Sequence, residues 1–96
     1  MITKKIKLNQ AVSIIFSLNR SEFIVEFIKK DGSLREMKCL KGVKKYLKGG
    51  KLSYNPIDKG LLPIYDLDKE AYRMINLNTI LSLEYTTLKR KFIIDR

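Results

Sequence analysis

Lysines crowd the middle of this chain. Lys38, Lys41, Lys44, Lys45, Lys48 and Lys51 lie between Glu36 and Asp58 with no acidic side chain among them, and Tyr46 and Tyr54 are interleaved. Ammonium groups neutralise phosphates and release condensed counterions, and aromatic rings stack on bases, so the pattern is that of a nucleic-acid-binding surface. It also fits a solvated face, or a contact with an acidic protein. A second set comprises Arg73, Tyr65, Tyr72 and Arg35. A guanidinium beside tyrosine rings suits an anionic, nucleotide-like ligand in a groove, although tyrosines in strands more often pack a core or rim. Arg35 either reaches a phosphate from the rim or pairs with a neighbouring carboxylate.

Enzymatic chemistry has little to work with. The chain has no histidine, which removes the commonest general base, the usual metal ligand and the His-activated nucleophile pairs together. Asp66 and Asp68 flank a turn and lack a third ligand, so turn chemistry explains them better than a metal does. Gly49-Gly50 is not a phosphate loop, because neither a Gly-Lys-Ser/Thr run nor a preceding strand accompanies it. The single Cys39 excludes an internal disulfide, fits a reducing compartment and reads as a small core residue. A non-enzymatic protein without metal or cofactor is expected.

Residues 61–85 form the stretch around which the rest is organised. Residues 61–67 are apolar almost throughout, as a strand buried on both faces would be. The polar run 66–70 turns the chain. Residues 71–77 then alternate, with Arg73, Ile75 and Leu77 facing one way and Tyr72, Met74 and Asn76 the other. Asn78-Thr79 carries the signals of a tight turn, after which Leu81, Leu83 and Tyr85 alternate with Ser82, Glu84 and Thr86. Such a corner belongs to a small SH3-like or Sm-like β-barrel.

Residues 22–39 form a hairpin whose register can be argued. A two-residue Asp31-Gly32 loop would set Phe27 against Glu36 and Val25 against Lys38. A three-residue loop, Lys30-Asp31-Gly32 with Gly32 left-handed, instead pairs Phe27 with Arg35, Val25 with Met37 and Phe23 with Cys39, which gathers the apolar residues and is preferred. Upstream, residues 2–8 alternate weakly as a lysine-guarded edge strand. Asn9 can cap a helix over 10–19, on which Ala11, Ile14, Ile15 and Leu18 recur at helical spacing. Within 40–60, a short helix carrying Leu40, Val43, Lys44 and Leu47 stops at Gly49-Gly50 and a loop runs over 51–60. Residues 87–96 end in a last strand or docked tail.

The 96 residues make one domain, read as an N-terminal strand and helix (1–21), the hairpin (22–39), a Lys-rich insertion (40–60) and barrel strands with a tail (61–96). No apolar run nears the roughly 20 residues of a membrane span, and the lysine-led N-terminus lacks a signal-peptide cleavage site, so a cytoplasmic protein without membrane contact is expected. A net charge of +10 on so small a chain favours an anionic partner.

Three segments, Lys29-Lys30-Asp31-Gly32-Ser33-Leu34-Arg35-Glu36, Leu62-Pro63-Ile64-Tyr65-Asp66-Leu67 and Tyr72-Arg73-Met74-Ile75-Asn76-Leu77-Asn78-Thr79-Ile80, occur in an order that resembles the WYL domain, an SH3/Sm-like barrel of bacterial regulators. The chain is more similar still to small stand-alone phage-encoded SH3-like barrel proteins without an assigned role. The resemblance implies a barrel and a groove for nucleic acid or nucleotide ligands. Asn76 and Thr79 stand where the family has arginines, so only Arg73 and Tyr65 carry its polar set over. The expectation is a mainly β fold with minor α: a small SH3-like barrel with an N-terminal helix and a short helical insertion. In function it is a phage-type accessory protein binding nucleic acid through the insertion, or else a binder of a host polymerase, nuclease or defence enzyme, or of a nucleotide-like ligand. Strand edges that pair into a homo-oligomer stay open as well.

Overall fold

The computed structural model describes residues 1–17, 21–40 and 56–95, with backbone alone for Pro56 and Ile57. The elements in chain order are β1 (Ile2–Ile6), α1 (Leu8–Ser17), β2 (Glu22–Ile28), β3 (Leu34–Leu40), α2 (Pro56–Lys59), β4 (Leu61–Asp66), β5 (Ala71–Asn76), a 3₁₀ turn (Leu77–Thr79), β6 (Ile80–Tyr85) and β7 (Arg90–Ile94). The fold is mainly β, with all seven strands in one sheet of order β1-β7-β6-β2-β3-β4-β5. The run β2–β5 is an antiparallel meander, and β6 returns to pair with β2. Among the described residues no ladder joins β5 to β6 or to β1. At that seam the Thr79 hydroxyl donates to the Ile28 carbonyl, tying the end of the meander to β2 without a ladder.

The hairpin has the expected register: Phe27 lies opposite Arg35, Val25 opposite Met37 and Phe23 opposite Cys39. Gly32 sits at φ +88, a conformation costly to any residue with a Cβ, and closes the loop by donating its N–H to Lys29. Asp31 Oδ1 accepts from the Ser33 amide and hydroxyl, which stiffens the same loop.

Period-two patterning builds the core. Phe23, Val25, Phe27, Met37, Cys39, Leu62, Ile64 and Ile75 all point to one side and are buried. Leu77, Ile80, Leu83 and Tyr85 complete that side, and the Tyr85 ring stacks on Phe23 at 5.0 Å between centroids. Two expectations need correction here. β4 is buried on one face only: Leu62, Ile64 and Asp66 point in, and Leu61, Pro63 and Tyr65, on the other face, are half-exposed. Along β6 the inward set is Ile80, Leu83 and Tyr85. A bulge opposite Glu26 and Phe27 inserts Leu81 as an extra residue and shifts the alternation by one step. The Asn78-Thr79 turn is the 3₁₀ segment, and the strands flanking it part company, β5 to β4 and β6 to β2.

The helix begins two residues earlier than Asn9 as cap would place it. Lys7 is the cap: its carbonyl accepts from Gln10 and Ala11, and its own N–H donates to the Gln10 side chain, the reciprocal part of a capping box. A ten-residue helix is marginal alone and is held by its buried Ala11 and Ile15, with Leu8 and Val12 beside them. β1 is a terminal strand, as its lysines suggested, and pairs in parallel with β7, Ile2 opposite Arg90 through Ile6 opposite Ile94. α2 occupies part of what was expected to be loop, where Pro56 supplies a helix-compatible first residue. Leu40, expected on the short helix, ends β3 instead, because it pairs with Tyr65 of β4; the rest of that helix, residues 41–48, lies outside the described residues.

Candidate binding surfaces

Lys41, Lys44, Lys45, Tyr46, Lys48, Lys51 and Tyr54 lie outside the described residues. Lys38, the remaining member of that set, is exposed on β3 and faces Glu22 at 3.7 Å. The roots of the basic stretch are nevertheless fixed. Leu40 at the end of β3 is paired with Tyr65 of β4, so Lys41 follows directly from the position beside that tyrosine. At the other root Gly60 is buried at φ +68, and its carbonyl accepts the Leu77 N–H at 2.8 Å. A Cβ at residue 60 would collide with Asn78 Nδ2.

The set Arg73, Tyr65, Tyr72 and Arg35 does not form one groove. Tyr65 and Tyr72 are cross-strand partners on the outer face of β4–β5, their rings edge to face at 5.5 Å. Burial first, and then the Tyr65 neighbour, holds the Tyr72 hydroxyl above its ordinary pKa. Pro63 and Met74 continue this outer face, with Met74 46% exposed. Arg73 points to the opposite, inner side. Its Nη1 lies 3.8 Å from Oδ2 of Asp66, which is only 3% exposed. The other Asp66 oxygen accepts the amides of Asp68 at 2.9 Å and Lys69 at 3.1 Å, so this aspartate shapes the β4–β5 turn and anchors Arg73 at once. The strict alternation of β5 separates Arg73 from its tyrosine neighbour.

Arg35 is elsewhere again. It lines a cavity of about 270 Å³ with Phe27, Lys29, Lys30, Leu61, Met74 and Asn76. The cavity lies where the tip of the β2–β3 hairpin meets the β4–β5 pair, and residues from distant parts of the sequence converge on it. Pairing had marked only Arg35; Lys29 and Lys30 were visible as the two cations leading into the turn. The roles of Leu61, Met74 and Asn76 depend on how the sheet bends, which local patterning does not carry.

Cys39 is not a nucleophile. Burial, reinforced by the Asp66 charge opposite it, pushes its thiol up to about 12, so the thiolate is absent near neutrality. Among the described residues no group of three or more Cys, Asp or Glu side chains gathers as a metal site, and no helix is long and apolar enough to cross a membrane. Neither protein-family models nor curated proteins nor solved structures yield a significant match to this chain.

Proposed function

We propose that this chain is a non-enzymatic nucleic-acid-binding protein. The observation that carries the reading is a juxtaposition: residues 41–55 hold five lysines and no acid, and β3, which precedes them in sequence, ends at Leu40 opposite Tyr65 of the outward-facing Tyr65–Tyr72 pair. Lys41, Lys44, Lys45 and Lys48 would take phosphates, with Lys38 and Lys51 at the margins. A base would stack on Tyr46 or Tyr54, or on the Tyr65–Tyr72 platform. That combination serves single strands with little sequence preference.

The test is fluorescence anisotropy of a labelled single-stranded oligonucleotide across a salt series. Four engaged lysines contribute about 3 to the slope of log K against log salt at roughly 0.7 per phosphate. Changing Lys41, Lys44, Lys45 and Lys48 to Gln should flatten the slope by that amount. Absence of binding at low salt would end the proposal.

A second reading is favoured by a separate observation. β5 is a terminal strand of the sheet, and its outer face with β4 is apolar through Pro63, Tyr65, Tyr72 and Met74. An acidic host protein docking there, as for a phage-encoded modulator, would bind through aromatic and aliphatic anchors and tolerate moderate salt. The WYL-type nucleotide groove around Arg73 is less well supported, since Asp66 already occupies that guanidinium.

A further inference from the structure

We infer that the cavity between the β2–β3 tip and the β4–β5 pair binds a small phosphate monoester with an apolar, ring-sized body. This site is separate from the basic stretch 41–55, and either can fail without the other.

The polar lining is made of donors. Lys29, Lys30 and Arg35 bring ammonium and guanidinium groups, which donate and never accept. Asn76 completes the set. Its Oδ1 is occupied by the Asn78 amide at 3.1 Å, which leaves its NH₂ as the group on offer. Among the described residues no carboxylate lines the cavity. Asp31, next to Lys30 in sequence, is not part of this lining; its Oδ2 faces Lys29 at 3.6 Å, and its Oδ1 accepts from the Ser33 amide and hydroxyl at 2.9 and 2.6 Å. Lys30 and Arg35 make no ion pair among the described residues. A lining of donors alone selects a ligand whose polar end is acceptors alone, and a phosphoryl group offers three such oxygens.

The apolar lining sets the rest of the ligand. Phe27, Leu61 and Met74 form its apolar wall, Phe27 directly across the hairpin from Arg35, and Met74 adapts its shape to what it meets. A volume of about 270 Å³ falls just below the roughly 300–1,000 Å³ of drug-sized sites and matches a single ring with its phosphate. Free inorganic phosphate would leave that wall unused.

The test is an NMR titration of the ¹⁵N-labelled full chain at physiological salt with phenyl phosphate, inorganic phosphate and benzyl alcohol. Phenyl phosphate should bind several-fold more tightly than inorganic phosphate and shift the amides of residues 27–35, 61 and 74–76; benzyl alcohol should not bind. Arg35→Gln should weaken phenyl phosphate about tenfold or more. Lys30→Gln, at an exposed position that folding does not depend on, should weaken it several-fold, and Lys5→Gln on β1 should leave it unchanged. Equal binding of the two phosphates, shifts scattered over all lysines, or an unaltered affinity in the Lys30→Gln variant would overturn the assignment.

Discussion

Arg73 is the residue for which a structural and a ligand role make opposite forecasts. Its guanidinium sits 3.8 Å from a carboxylate that is 3% exposed, while the arginine side chain itself keeps 27% of its surface in water. At that separation and an effective dielectric near 20 the Coulomb attraction is about 4 kcal/mol, and desolvation offsets much of it. A coupling of about 1–2 kcal/mol remains. Arg73→Gln leaves the Asp66 charge buried with only the Asp68 and Lys69 amides to hold it, and should cost about 1–3 kcal/mol. Asp66→Asn keeps an oxygen for those two amides and should cost about 1 kcal/mol. Asp66→Ala loses the turn bonds and strands the arginine, and should be the worst of the three. Urea unfolding of the two conservative single variants and their double variant gives the coupling directly, with each kcal/mol also visible as roughly 4–8 °C in Tm. A coupling below about 0.5 kcal/mol, with Arg73→Gln no less stable than the parent, would refute the structural role and return Arg73 to the surface as a ligand group.

Two further outcomes follow from backbone and burial. Gly60→Ala should cost about 1–2 kcal/mol for its positive φ alone, and more because the new Cβ collides with Asn78 Nδ2; Asn78→Ala should relieve the second part only, and Gly32→Ala, with open space around it, should show the conformational part alone in the same urea assay. Alkali should unfold the protein. Cys39 keeps its proton to about 12 in the fold against an ordinary 9.0, so its contribution is whole below pH 9 and is lost as pH climbs from there towards 12. Burial raises the Tyr85 hydroxyl too, and that oxygen has no hydrogen-bond partner among the described residues; Tyr85→Phe should therefore gain up to about 1 kcal/mol and flatten the loss above pH 10, followed by circular dichroism.

What could be read from the residues was local. The left-handed Gly32 and the apolar alternation around it fixed the hairpin register, because a one-residue slip would have turned Phe27 and Val25 towards charges. Asp66 announced a turn, and its carboxylate makes one. The Leu81 bulge was not legible: an extra residue in β6 has meaning only against the strand it pairs with, here β2, more than fifty positions earlier. The same limit applies to the candidate sites. Alternation along β5 already set Arg73 and Tyr72 on opposite faces, and nearness in sequence was a poor guide to a shared groove. The cavity joins Arg35 to Leu61, Met74 and Asn76 through the bend of the sheet. Such a bend follows from the sum of strand twists, not from any one segment.

The parallel union of β1 with β7 also imposes a timetable. Ile2 and its partner Arg90 are 88 residues apart, so at roughly 5–20 residues per second β1 is made about 4–18 s before the strand it needs exists. The hairpin β2–β3 closes on its own neighbours long before then. Until then β1 lacks its partner, and Lys4 and Lys5 are the kind of edge charges that discourage pairing with another chain's strand. Growth of the sheet therefore runs outward from the hairpin, and the β1–β7 ladder comes last.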